Sequence, residues 1–270
     1  MKCKLYLLNW LRNQGGSSPA PTPTPSGLKF INGMKMSYWT TTPQTVDTSG
    51  MTNMSRFFAY YGDSATETMS YPVIDTSSVT DMSLMFQQEK NLGLYLNNDF
   101  ITNFDTSNVT DMSYMFAYAK SSTETTMTTI TSFIESFDTS KLTNTQRMFD
   151  HFTSTSPAKP EVPHFDTSNV TDMQYMFYQS SFARMTNNFY YDTSSCINMR
   201  DIFNGVSLHN SAGAETLVNV LNMCIHVNVN YEGTKTLYAL GLRSNTVTAN
   251  NIQQCSNYQD FLDAGWTIGY

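Results

Sequence analysis

Aspartate is the residue in this chain whose type and spacing most invite chemistry. Six Asp-Thr-Ser triplets begin at Asp47, Asp75, Asp105, Asp138, Asp166 and Asp192, at intervals of 28, 30, 33, 28 and 26 residues. A carboxylate beside two hydroxyls is a plausible start for a calcium site, and six in series would make a row of them. The pair Asp105 and Asp111 nevertheless lacks the glycine and the distal acid of an EF-hand loop, and no glycine-rich repeat supports a calcium β-roll. The competing chemistry is structural. Where a chain leaves a strand it exposes backbone groups, and stacked Asp, Thr and Ser side chains can satisfy them copy after copy. That reading accounts for the recurrence without a ligand.

Other reactive residues are scattered. His151, His164, His209 and His226 stand apart from one another and from acids or cysteines at ligand spacing. Cys3, Cys196, Cys224 and Cys255 are too far apart for a paired metal motif and too few for a disulfide framework, although a Cys224–Cys255 bond stays open. Cys196 occupies a position that other copies fill with Val, Leu or Met, which marks it as a small core residue. There is no phosphate-binding glycine loop, nucleophile elbow or paired-carboxylate motif. No catalytic, cofactor-binding or metal-binding residue is assigned, and a non-enzymatic protein is expected.

The elements that would position these side chains follow from aligning the copies with Asp as position 1. The preceding residue is apolar or aromatic each time: Val46, Ile74, Phe104, Phe137, Phe165 and Tyr191. It should end a short strand pointing inward. Position 5 is Met51, Val79, Val109, Leu142, Val170 or Cys196; position 8 is Met except for Thr145; position 12 is always Phe, from Phe58 through Phe86, Phe116, Phe149 and Phe177 to Phe203. Apolar residues at positions 5, 8, 11 and 12 follow helical spacing, and Thr at position 6 before Asp or Asn at position 7 reads as a helix N-cap. A short helix or helical turn is therefore expected after each strand. Units of this length cannot bury an apolar face alone, so they must stack.

The segment Phe-Asp-Thr-Ser-Asn-Val-Thr-Asp-Met-Ser-Tyr-Met-Phe at 104–116 resembles the signature of the bacterial surface protein (BspA-like) repeats, a leucine-rich-repeat variant of surface proteins from gut and oral bacteria, mycoplasmas and their phages. The likeness covers about residues 46–206 and recurs six times. It implies an α/β repeat solenoid, leucine-rich-repeat-like, a stack of short strands and short helices used for display and adhesion. The leucine-rich segment of other members is largely missing, and the spacers between motifs vary from 14 to 21 residues.

Around the six-repeat solenoid at 46–206 the chain divides into an N-terminal peptide at 1–13, a Gly/Ser then Pro/Thr linker at 14–27, an N-terminal cap at 28–45 and a C-terminal cap at 207–270. Leu5, Leu8, Trp10 and Leu11 make the first peptide an anchor to a larger assembly, since it is too short to span a bilayer and does not read as a secretory signal. Alternating prolines make the linker a semi-rigid spacer. In the C-terminal cap, helices are expected at 214–226 and 248–264, with strands at 235–242 and 266–270. With only 14% charged residues and a net charge of -7, no basic surface exists to hold nucleic acid. Insertions in a solenoid map to loops that bind or merely connect, and Tyr60, Tyr61, Tyr118 and Tyr178, at similar offsets after the recurring Phe, form a possible recognition row or extra core. The expected role is a virion component of a tailed phage that meets a host surface protein or glycan. The alternative is a bacterial cell-surface or secreted adhesin, and homo-oligomerisation stays open.

Overall fold

The computed structural model describes residues 28–34, 46–60, 72–90, Leu96, 98–121, 124–154, 163–181, 191–206, 214–238 and 252–269. Anchor residues Leu5, Leu8, Trp10 and Leu11, the linker, residues 35–45 of the N-terminal cap and Tyr61 lie outside them.

The six motif copies stack in register. Position 7 of each makes a parallel bridge to the next, in the order Asn53, Asp81, Asp111, Asn144, Asp172 and Asn198. Backbone bonds run between coils on both sides of this line. Thr110 and Asp111 both donate their amides to the Thr80 carbonyl of the preceding coil, at 2.9 and 3.3 Å. Along the rest of the motif every second amide donates forward: Met82 to Asp111, Leu84 to Ser113, Phe86 to Met115 and Gln88 to Ala117, at 2.8–2.9 Å.

The alternate amides close turns within one coil. Met115 donates to Met112, Ala117 to Tyr114 and Ala119 to Phe116, each three residues back. Positions 9 to 14 are thus a run of β-turns, and the short helix expected there does not form. The reason lies in positions 10 and 14, whose φ is positive in every copy: Arg56, Leu84, Tyr114, Arg147, Tyr175 and Asp201, then Tyr60, Gln88, Tyr118, His151, Gln179 and Gly205. A left-handed residue breaks a right-handed helix but suits the third position of a type II turn. None of the twelve is β-branched or proline, the types that resist this conformation. Turns closed over three residues place i and i+3 on one side, so positions 8 and 11 face inward with a periodicity that imitates a helix.

Position 12 makes the core. The six phenyl rings stack in one column, Phe58 on Phe86, then Phe116, Phe149, Phe177 and Phe203, with centroids 5.4–5.7 Å apart and planes within 10°. All six are buried. The longer spacers build on this column. Helix α1 (Asn98–Asn103) and helix α2 (Glu124–Glu135) bring Phe100 and Phe133 against Phe86, at 6.4 and 6.1 Å in edge-to-face geometry. These two spacers are therefore core-forming segments and not only irregular connections.

The ends are closed differently. Strand β1 (Leu28–Lys29) pairs in parallel with β2 (Val46–Asp47), the one motif entry that forms a ladder strand among the described residues. Asn32 then replaces a missing coil: its side-chain oxygen accepts both the Thr52 and Asn53 amides at 3.0 Å, the role that a position-6 carbonyl plays elsewhere. Between coils three and four, β3 (Lys120–Ser121) pairs in parallel with β4 (Thr153–Ser154). After the sixth copy come α3 (Ala214–Ile225), β5 (Thr236–Tyr238), α4 (Tyr258–Asp263) and β6 (Thr267–Gly269), with β5 and β6 parallel. Of the second helix expected at 248–264, residues 248–251 lie outside the described ones, residues 254–257 interrupt it, and α4 is its C-terminal part. Gly265, at φ 84, ends it. Thr193 and Ile197 tie this layer to the last coil through the Met223 carbonyl and the Glu232 amide. Cys196 and Cys224 are buried free thiols, so the Cys224–Cys255 disulfide does not form. Burial pushes the Cys196 thiol up to about 12.

Candidate recognition face

The polar positions of the motif act first on the backbone. In all six copies the position-1 carboxylate accepts the amide of the position-3 serine, from Asp47 and Ser49 at 3.0 Å to Asp192 and Ser194 at 2.8 Å. The Ser77 hydroxyl and then its amide hold Asp75 below the usual carboxylate range, and Ser140 does the same for Asp138. Position 7 repeats the device on the amide two residues on, as Asp111 does for Ser113 at 2.7 Å. Its side chains also bridge coils, with the Asn53 amide on Asp81 at 2.5 Å and the Asn144 amide on Asp111 at 3.2 Å. Burial pushes the Asp172 carboxyl up against the pull of the Gln174 amide and the Asn198 side chain, and Asp111 adds to the rise. Among the described residues no group of three or more His, Cys, Asp or Glu is arranged to hold a metal ion.

The threonines bond between coils and are not helix caps. The buried Thr48 hydroxyl donates to the Asp75 carbonyl at 2.8 Å and accepts the Asp75 amide at 2.7 Å. Thr106, Thr139 and Thr167 donate to the next coil in the same way. At position 6, Thr80, Thr110, Thr143 and Thr171 donate to the position-6 carbonyl of the coil before. The Asn108 and Asn169 side chains are likewise occupied, donating to the Ser77 and Ser140 carbonyls.

What remains for recognition is the surface carrying positions 10 and 14. In coils three to five a cluster forms on the left-handed turn residues Tyr114, Tyr118, Arg147, His151 and Tyr175, joined by Tyr178 at position 13. The Arg147 guanidinium lies 4.2 Å from the Tyr175 ring centroid and 5.7 Å from that of Tyr114. Tyr118 stacks on His151 at 4.6 Å and 10°, while Tyr178 leans on His151 at 5.7 Å and meets Tyr175 edge to face. Beneath them the Asp150 carboxylate is fully buried. One oxygen takes Arg147 Nη1 at 2.7 Å and the other takes His151 Nδ1. Burial opposes the charge on Arg147 most strongly, but the bond to Asp150, its charge and the nearby Tyr114 and Tyr175 together hold the guanidinium above its ordinary pKa. Tyr118 is 40% exposed and the His151 side chain 34%, so the cluster is open to solvent.

Of the tyrosine row drawn from the sequence, the structure brings Tyr118 and Tyr178 together. Tyr60 belongs to the first coil, with Gln88 at the corresponding place in the coil between it and Tyr118. Tyr114, Arg147, Asp150, His151 and Tyr175 were missed. Position 10 holds the signal for three of them, since it runs Tyr, Arg, Tyr through three consecutive copies. Asp150 carries no such signal, because position 13 runs Ala59, Gln87, Ala117, Asp150, Tyr178 and Asn204 through the copies with no common chemistry.

Three overlapping stretches, 32–126, 52–157 and 124–217, match the model of a family described as Mycoplasma protein of unknown function, DUF285. Together they span well over half of the chain. The family is associated with BspA-like surface repeat proteins. No curated protein and no solved structure gives a match.

Proposed function

Because the chain belongs to the family described as Mycoplasma protein of unknown function, DUF285, we propose that it is a non-enzymatic display and binding protein whose coils form an α/β repeat solenoid. In this reading the solenoid is the rigid part and its left-handed turn residues are the variable part. The observation that carries it is the solvent-open cluster of Tyr114, Tyr118, Arg147, His151, Tyr175 and Tyr178, built on positions that the stacking hydrogen bonds leave free to vary. Aromatic and arginine side chains held in fixed geometry are what binding surfaces concentrate.

The setting we propose is a tailed-phage virion. The apolar peptide with Leu5, Leu8, Trp10 and Leu11 would dock onto the particle, and the Pro/Thr spacer would project the solenoid toward a host surface protein or glycan. Its family's association with surface repeat proteins favours a second setting, a bacterial cell-surface or secreted adhesin. Among the described residues no helix is long and apolar enough to cross a membrane. Fractionation separates the two settings. Presence of the chain in purified particles, lost when residues 1–13 are deleted, is the outcome expected of the first. A processed chain in the bacterial envelope would overturn it in favour of the second.

A further inference from the structure

We propose that Asn32 is a self-modifying site, whose side-chain amide the folded chain converts to aspartate and isoaspartate through attack by the Gly33 backbone nitrogen. The sequence has two Asn-Gly pairs, Asn32-Gly33 and Asn204-Gly205, each following a bulky apolar residue, Ile31 and Phe203. Glycine after asparagine is the least hindered case for this attack, because no Cβ stands beside the nitrogen. Each pair is the centre of a turn. The Met34 amide closes the first on the Ile31 carbonyl at 3.0 Å, and the Val206 amide closes the second on the Phe203 carbonyl at 3.1 Å. The glycines have φ 85 and 78. Local sequence and turn are thus alike, and what surrounds them is not.

At Asn32 the electrophile is held and the nucleophile is free to turn. Oδ1 accepts the Thr52 and Asn53 amides, both at 3.0 Å, and Nδ2 donates to the Thr52 hydroxyl at 3.0 Å. Two backbone N–H groups on one oxygen are the arrangement that stabilises an oxyanion, so charge that develops on Oδ1 during attack is already met. The Asn32 carbonyl and the Gly33 amide have no hydrogen-bond partner among the described residues, and both residues are exposed. No atom lies within 4 Å of the place a Gly33 Cβ would take. Their shared peptide can therefore rotate while the Met34–Ile31 bond holds, the motion that interconverts type II and type I turns. Only Cβ, Cα and the carbonyl carbon separate the nitrogen from Cγ, so the side chain need not leave its two donors. The Gly33 nitrogen bonds to Cγ, the Cγ–Nδ2 bond breaks, and the Gly33 amide proton leaves with Nδ2 as ammonia. Water then opens the cyclic imide, at Cγ to give aspartate or at the main-chain carbonyl to give isoaspartate.

Asn204 is arranged the opposite way. Its main-chain carbonyl accepts the Gln179 amide at 2.8 Å, so the peptide cannot rotate without breaking a bond between coils. Gln179 Cγ also stands 2.6 Å from the place a Gly205 Cβ would take. The Asn204 Nδ2 donates to Asp201 Oδ1 at 3.1 Å, no donor reaches its Oδ1 among the described residues, and the carboxylate beside it opposes a second negative charge. The consequence falls on the N-terminal cap. Aspartate at 32 keeps an oxygen for the Thr52 and Asn53 amides, whereas isoaspartate adds an atom to the main chain where Asn32 replaces a missing coil, and this loosens the join to the first coil.

The test incubates the full chain at mildly alkaline pH in heavy-oxygen water, folded in buffer and unfolded in urea. Peptide mass spectrometry follows both asparagines, and isoaspartyl methyltransferase labelling reads isoaspartate. Unfolded, the two pairs should convert at rates within about threefold of each other, since no tertiary contact distinguishes them. Folded, Asn32 should convert at least as fast as it does unfolded, and about tenfold or more faster than Asn204. Amide exchange at Thr52 and Asn53 should quicken as isoaspartate accumulates, and an unchanged rate would overturn the effect on the cap. Conversion of Asn32 that is slower folded than unfolded would overturn the assisted attack. So would folded conversion of Asn204 as fast as that of Asn32, or aspartate formed without isoaspartate.

Discussion

Truncating Phe116 to alanine tests the column that holds the coils together. Phe116 is fully buried in the middle of that column, stacked on Phe86 at 5.4 Å and on Phe149 at 5.5 Å. Removing a buried phenyl group costs about 3–5 kcal/mol in lost transfer and cavity energy. Each ring pair adds about 0.5–1.5 kcal/mol beyond the area it buries. The loss should fall in the upper half of the first range, which is large against the roughly 5–15 kcal/mol that holds a typical native domain together. Phe116→Leu separates the two contributions, because it restores most of the volume and none of the stacking, and about 1–3 kcal/mol should remain. Urea denaturation followed by circular dichroism gives both numbers. Amide exchange locates the damage, which should centre on coils two to four because each unit contacts its neighbours. A Phe116→Ala loss below about 1 kcal/mol, against the cost expected for a core phenylalanine, or a neutral Phe116→Leu, would refute the stacked-column account.

Two further outcomes follow from the bonding between coils. Thr48→Val keeps the buried shape but strands the Asp75 amide and carbonyl, so about 1–3 kcal/mol should be lost. Faster exchange at the Asp75 amide would mark the site, and an unchanged rate would show that the hydroxyl bridge is dispensable. The pH dependence has two opposing parts. Asp75 and Asp138 are held below their unfolded pKa, so the stability they supply is complete above the ordinary carboxylate range and is lost as pH falls through their lowered values. Asp172 is raised, so it opposes folding at neutral pH and this opposition disappears as pH falls through its raised value. Asp172→Asn, which places at that site the residue already found at Asn144 and Asn198, should therefore raise the urea midpoint at pH 7. A lowered midpoint there would show that the charged bonds to Gln174 and Asn198 outweigh burial.

The repeat was legible in the sequence because it is a property of order along the chain. Six Asp-Thr-Ser triplets and six phenylalanines at position 12 announce stacked units before any coordinate is known. The inward role of positions 5, 8, 11 and 12 was legible for the same reason. Backbone conformation was not. Three-residue turns and an α-helix both bring i and i+3 to one side, and the pattern of apolar residues does not separate them. The distinguishing mark is the lack of β-branched residues at positions 10 and 14, a restriction that becomes meaningful once those positions are known to be left-handed. The helices α1 and α2 were hidden for a different reason. Their spacers differ in length and sequence from the others, so no comparison between copies could show that Phe100 and Phe133 belong to the core.

The sequence by itself determined that like positions meet like, because a repeated unit with one apolar side can bury it only against its own neighbours. From that alone come the hydroxyl ladders, the amide-to-carboxylate bridges between coils and the use of the recurring aspartates on backbone amides. Tertiary structure decided which variable residues stand together. Tyr114, Arg147 and Tyr175 are about 30 residues apart along the chain and adjacent in space, and their contacts depend on coil spacing and on left-handed turns. Asp150 depends on both, since a carboxylate is tolerated in the interior only where a guanidinium and an imidazole arrive to meet it.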